Sequence, residues 1–340
     1  MSATLGNAVA AVLLLAVTVY SVAGGTDYGA GIWDLLAGRS RRGEAVRDLV
    51  DHAMAPVWEA NNVWLVLAAV VCWTGFPLLF QSVFASLYPL FSLALLALVL
   101  RGAFFAFRKA AETPGARRAA TRVFGIASVL APFCFAATLG AVASGRVGVG
   151  QPVEPAWSAS FNPTSVAFGV VSLAATALSG ASFLVGDARR RGEHELVEYF
   201  RVRAVVAATA TLAAAGVALV VLAVDSPTIA RGMVAGRGLP FAIVAVLATL
   251  GTAVLHWRRI HRLYRALTAV GVGSFVFAWG FGQSPYLLPG RLTIAQAVGA
   301  PSVEVLVLVV AVTALLTVVP SLGLLLYLDQ RNELAPPDPE

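Results

Sequence analysis

Nine stretches of the chain are each long and apolar enough to cross a bilayer, and the loops between them alternate between arginine-dense and arginine-poor. A crossing helix needs about 20 mainly apolar residues, because hydrocarbon offers no partner to a backbone N–H or C=O. The expected spans cover residues 5–23, 57–76, 80–100, 123–143, 165–185, 204–224, 239–255, 263–281 and 303–328.

Short loops rich in Lys and Arg stay in the cytoplasm. Arg39, Arg41, Arg42 and Arg47 follow the first span; Arg108, Lys109, Arg117, Arg118 and Arg122 follow the third. The fifth is followed by Arg189, Arg190, Arg191, Arg201 and Arg203, the seventh by Arg258, Arg259, Arg262 and Arg265, and Arg331 lies in the tail. Nineteen of the 24 basic residues therefore share one side, against Arg146, Arg231, Arg237 and Arg291 on the other, while Arg101 closes the third span. This predicts an all-α integral membrane protein of nine transmembrane helices, N-terminus outside and C-terminus cytoplasmic.

Composition agrees, since 59% hydrophobic and 12% charged residues fall far from the roughly 25% charged of a soluble domain. The net charge of +6 is read as cytoplasmic loops facing anionic lipid, not as a nucleic-acid surface. A cleaved leader ending at Ser21-Val22-Ala23 is the rival reading of the first residues, disfavoured because no basic stretch precedes the apolar run.

A polar outer segment, residues 145–163, separates a first helix group (1–144, spans one to four) from a second (164–331, spans five to nine). That arrangement reads as two four-helix groups plus one extra helix. Similarity between Gly125-Ile126-Ala127-Ser128 and Gly271-Val272-Gly273-Ser274 is slight, of the kind two Gly/Ala-rich helices give by chance. Residues 27–36 read as too short and too glycine-rich to cross, and are expected at the cytoplasmic interface. Residues 187–199 read as a solvated helix of mixed charge, and 332–340, with Pro336, Pro337 and Pro339, as a disordered tail.

Ligands for a bound metal are not evident. Cys72 and Cys134 stand alone and read as inert buried thiols. His52, His194, His256 and His261 fall in or beside cytoplasmic loops, and Met54 and Met233 lie outside span centres, so no axial ligand for haem is expected on this chain. No metal site, cofactor site or catalytic triad is expected either.

What stands out is a group of polar residues at one membrane depth. Pro56-Val57-Trp58-Glu59-Ala60-Asn61-Asn62-Val63-Trp64 opens the second span, with proline suited to a first helical turn and Glu59 favoured by the helix dipole. Asn62, three residues on, shares a face with Glu59 and can hydrogen-bond it. Asp27, at the end of the first span, and Arg101 reach the same leaflet. Two readings of Glu59 stay open at this point: a capping carboxylate balanced by Arg101, or a proton-loading site raised by desolvation. Asp27 is similarly open, between ending its span and taking part in proton transfer.

These residues also carry a resemblance. Gly25-Thr26-Asp27-Tyr28-Gly29-Ala30-Gly31, then Pro56 to Leu65, Phe76-Pro77, Arg101 with Phe105 to Arg108, and Pro285-Tyr286-Leu287-Leu288-Pro289 with Leu292-Thr293-Ile294 occur in one order. The chain resembles subunit II of cytochrome bd-type quinol oxidases over nearly its whole length. That resemblance implies a bacterial inner-membrane heterodimer with a subunit I that carries b-type and d-type haems, oxidises quinol and reduces oxygen to water. It leaves room for a small accessory chain. This chain would be haem-free and not catalytic alone. The resemblance implies a proton route through Glu59, with Asp27 alongside, and a supporting or subunit-contact role for Trp58, Asn62 and Arg101.

Five positions depart from the family pattern. Glu59 stands for an aspartate, Ala60 for a glycine, Ala106 for a common acid, and Ala295-Gln296 for Trp-Asp. Loss of the acid at 106 points to a shortened or rerouted proton path. The competing classes are a secondary transporter, whose helices would break near mid-membrane around a substrate, and a purely structural membrane subunit.

Overall fold

The computed structural model describes the backbone of residues 2–53, 55–260 and 262–330, and the side chains within those ranges other than 2, 3, 52, 53, 55–60, 109, 319, 322, 323 and 325–330. In chain order the elements are α1 (Ser2–Leu36), α2 (Arg41–Ala53), α3 (Ala55–Gly75), α4 (Pro77–Ser86), α5 (Tyr88–Ala110), α6 (Pro114–Ala143) and α7 (Ala156–Ser160). Then follow α8 (Pro163–Arg190), α9 (His194–Asp225), α10 (Pro227–Val234), α11 (Leu239–Trp257) and α12 (Tyr264–Gln283). A small hairpin, β1 (Tyr286–Leu288) and β2 (Leu292–Thr293), leads through α13 (Ile294–Ala297) into α14 (Pro301–Gln330).

Among the described residues, eight helices are long and apolar enough to cross a membrane unaided: α1, α5, α6, α8, α9, α11, α12 and α14. The pair α3 and α4 meets at 116° and forms a broken span or a re-entrant loop. Starts of several helices follow from local chemistry. Thr113 accepts a hydrogen bond from the Ala116 N–H and Asn162 from the Ser165 N–H, each just before a proline; both satisfy an N–H that the helix itself cannot.

Three expectations are corrected. Residues 27–36 are not a separate segment but continue α1 without a break to Leu36, with Asp27 and Asp34 buried. Their glycines serve packing: a Cβ on Gly29 would stand 2.7 Å from Gly180 Cα, and one on Gly180 would stand 2.6 Å from Gly29 Cα. Small residues that let backbones touch stabilise helix pairs in lipid, where apolar burial supplies no drive. Second, the span expected at 80–100 is two elements, since α4 ends at Ser86 and α5 starts at Tyr88. Pro77 and Pro89 in opening turns start these helices, and hydropathy is blind to a break with apolar residues on both sides. Arg101 consequently sits well inside α5 instead of closing it. Third, residues 187–199 form no helix of their own; they are divided between the end of α8 and the start of α9. The expected tail, 332–340, lies outside the described residues, as do Met54 and His261.

Helix α1 is the axis of the fold, packing against α3, α6, α8, α12 and α14, so it touches elements from both halves of the chain. At one end, the α3–α4 elbow and the hairpin share a core in which Phe76, Leu87, Leu90 and Leu288 are fully buried. Two widely separated motifs, Phe76-Pro77 and residues 285–294, thus meet. Gln283 fixes the hairpin by donating to the Leu287 carbonyl at 2.9 Å.

Candidate functional site

Asp27 and Asp34 are seven residues apart on α1, two helical turns or about 10 Å along the axis. Arg101 and Arg108 on α5 have the same spacing. Arg101 Nη2 donates to Asp27 Oδ1 at 2.6 Å and Nη1 to Oδ2 at 3.0 Å, while Nη2 also reaches the Asp27 carbonyl at 3.1 Å. Its Nε donates to Ser128 Oγ at 3.0 Å, and that hydroxyl donates to the Phe124 carbonyl at 2.8 Å. Arg101 is 1% exposed and Asp27 2%. Burying two charges costs several kcal/mol each unless geometry and further hydrogen bonds offset it, and the two-nitrogen fork with its serine provides both.

One heptad on, Arg108 forms ion pairs with Asp34 and with Asp51 of α2, and Arg47 Nε lies 3.7 Å from Asp34. The Asp34 side chain is fully buried but that of Asp51 is 22% exposed, so this second cluster reaches water where the first does not. Phe124 of α6 stands between the two: each guanidinium carbon lies 5.0 Å from its ring centre. Tyr28 covers Arg101 at 4.9 Å and shares a 2.7 Å hydrogen bond with Tyr20. Cations over aromatic faces gain further when desolvated.

Of the residues singled out in the sequence, Asp27 and Arg101 are brought into direct contact. Glu59 and Trp58 lie in the opening turns of α3, and their side chains fall outside the described residues. Asn62 is half-buried on α3. Its neighbour Asn61 is the buried amide, packed so that a Cβ on Gly24 would meet its Nδ2 at 3.1 Å, and neither amide atom has a hydrogen-bond partner among the described residues. Asp34, Asp51, Ser128 and Phe124 carried no functional reading in the sequence, and Arg108, expected in the loop after the third span, is buried within α5; the repeated seven-residue spacing of Asp27 with Asp34 and Arg101 with Arg108 was the available signal.

Elsewhere, His256 is buried in the last turn of α11, beside the connection to α12, with Nε2 3.1 Å from Ser182 Oγ and its ring against Tyr264. Met233 belongs to an apolar cluster, and both cysteines are free thiols. Among the described residues, no three His, Cys, Asp or Glu side chains gather as a metal site.

The family described as cytochrome bd terminal oxidase subunit II matches residues 5–328. Cytochrome bd-I ubiquinol oxidase subunit 2 of Escherichia coli (strain K12) is 27% identical over 198 residues, 57% of this chain and 50% of that protein. Cytochrome bd ubiquinol oxidase subunit 2 of Bacillus subtilis (strain 168) is 33% identical over 84 residues, 25% of this chain and 24% of its own length. The chain thus spans half the length, or less, of these relatives. The bd oxidase from Geobacillus thermodenitrificans superposes with a TM-score of 0.79 at 22% identity, covering 97% of this chain and 99% of the other. At that identity the likeness is one of fold.

Proposed function

The chain belongs to the subunit II family of cytochrome bd terminal oxidases, as a multi-pass protein of the bacterial inner membrane, and from that premise we propose that it is the haem-free half of a quinol:oxygen oxidoreductase. Its companion is a subunit I that binds b-type and d-type haems and oxidises quinol. This chain stabilises that companion in lipid and supplies part of a cytoplasmic proton route for the reduction of oxygen to water. The family match across residues 5–328 is the observation that carries the reading.

The side chains present suit a haem-free role. His256 is engaged by Ser182 and packs against Tyr264. The polar groups instead converge where α1, α3, α5 and α6 meet, which suits handling of charge and protons. In this reading Glu59 is the group that loads a proton from the arginine-rich face, since it lies in the opening turns of a helix that packs on α1. Asp27, expected beside Glu59 on the route, is assigned a different task. A carboxylate gripped by both terminal nitrogens of Arg101 is fixed in place by a buried two-nitrogen fork. The Asp27–Arg101 pair therefore sets the local potential and α1–α5 register, and Trp58 and Asn62 support Glu59 or the subunit contact.

The test is co-purification with the membrane protein encoded beside it, followed by a reduced-minus-oxidised spectrum of the complex and of this chain alone. Haem d bands in the complex, and none from this chain, are expected. Stoichiometric haem on the isolated chain would overturn the division of roles.

A further inference from the structure

We propose that the cleft between the end of α8 and the start of α12 is a binding site for a phosphate group, supplied by the headgroup of an anionic phospholipid. The cleft has a volume of about 400 Å³ and is lined by Gly186, Arg189, Arg190, Leu263, Tyr264 and Arg265. Its charges do not balance. A single carboxylate oxygen, Asp187 Oδ1, accepts from both Arg190 and Arg265, and no carboxylate lies within ion-pair distance of Arg189 among the described residues. Three guanidiniums against one carboxylate leave a surplus of two positive charges facing one concavity.

The cationic wall is held in place. Arg265 donates to the Phe183 carbonyl at 2.7 Å and lies over the Phe183 ring at 4.9 Å. Gly186 makes this approach possible, because a Cβ there would stand 2.7 Å from Arg265 Nε. That Nε is itself buried without a hydrogen-bond partner among the described residues. No side chain caps the start of α12, whose first residues form the other wall.

Depth selects the source of the phosphate. The cleft lies where two apolar spans, Pro163–Arg190 and Tyr264–Gln283, end and begin. The end of α11 and the connection leading into the cleft expose Trp257 (73%), Ile260 (44%) and Leu263 (73%), and Leu263 holds a left-handed backbone, φ +65°, that residues with a Cβ rarely adopt. Exposed tryptophan and aliphatic side chains flanking arginines mark the boundary between headgroups and acyl chains. Basic pockets between membrane helices at that boundary suit anionic headgroups.

The experiment uses the complex in phosphatidylcholine nanodiscs, with spin-labelled phosphatidylglycerol compared against spin-labelled phosphatidylcholine by the immobilised fraction in electron paramagnetic resonance. Wild type should prefer phosphatidylglycerol, and Arg189→Gln, which breaks no ion pair, should lower that preference about fivefold. Arg265→Gln should do the same. The control Arg117→Gln/Arg118→Gln removes two charges from the start of α6 on the same arginine-rich side and should leave the preference nearly intact. Equal loss in the control, or none in Arg189→Gln, would overturn the site. Displacement of the labelled lipid by millimolar inorganic phosphate, beyond that caused by chloride at equal ionic strength, would overturn the lipid as source and assign the site to the free anion.

Discussion

Asp27 and Asp34 are held by arginines of α5 with the same offset, so that one ion pair repeats the other a heptad further along α1, with the Phe124 ring between the two guanidiniums. Matching offsets of the same sign mean that α1 and α5 run parallel. They also fix register. Sliding α5 by one turn would bury four charges without partners, which costs far more than the packing contacts of one turn can return.

Arg101→Met should therefore lower the stability of the subunit by about 3–5 kcal/mol, because Asp27 is left buried and uncompensated. Asp27→Asn should cost a similar amount by stranding the guanidinium. The double variant should lose much less than the sum, since neither charge then remains. Thermal unfolding of the detergent-solubilised chain checks this; additive losses would show that the two residues are not coupled.

The second cluster should respond unevenly. Asp51 is partly exposed and shares Arg108 with Asp34, so Asp51→Asn should cost at most about 1 kcal/mol. Asp34→Asn removes the fully buried member and should cost several times more. Arg108→Lys should resemble Asp34→Asn, because a single ammonium cannot present a planar fork to two carboxylates. Urea or thermal denaturation of the three variants side by side gives the ranking.

The α1–α8 crossing makes a steric prediction. Gly29 and Gly180 face each other so closely that valine at either position must push the helices apart, and overpacking of this kind costs about 1–3 kcal/mol or more. Because α1 also carries Asp27 and Asp34, the displacement should loosen both ion pairs. A thermal midpoint of the detergent-solubilised chain lower in Gly180→Val than in wild type checks this; an unchanged midpoint would mean that the crossing is not tightly packed.

Glu59→Gln keeps the side chain's shape and removes its proton. In the assembled complex the haem bands should be unchanged and oxygen consumption slower by on the order of tenfold or more. Glu59→Asp, shorter by one methylene, should retain most of the rate. Full turnover in Glu59→Gln would take this residue out of the proton route and favour a purely structural subunit.

Legibility in the sequence followed the physics of each feature. Apolar runs are read from composition, and so α6, α8, α9, α11, α12 and α14 fall close to their expected places. The ends of α1 and the elbow at Phe76 were hidden because hydropathy registers neither helix–helix contact nor a change of direction within apolar sequence. Glycine was the misleading residue: in water it weakens a helix, but Gly29 strengthens α1 by letting Gly180 approach. Asp27 and Arg101 could be put in the same leaflet but not joined, because their contact spans 74 residues and depends on α6 lying alongside.

Glu304 had drawn no notice in the sequence, yet it is 1% exposed in the first turn of α14, and neither carboxyl oxygen has a hydrogen-bond partner among the described residues. Its helix packs against α1 and α3, and Val307, one turn on, belongs to the core around Val9 and Val71. A buried acceptor without a donor costs about 1–3 kcal/mol, and more when charged, while leucine has nearly the same volume and suits that core. Glu304→Leu should accordingly raise the thermal midpoint of the full chain on its own. A lowered midpoint would instead mean that the carboxyl group makes a stabilising contact within this chain, and a gain confined to the isolated chain, reversed in the complex, would place its partner on the companion subunit.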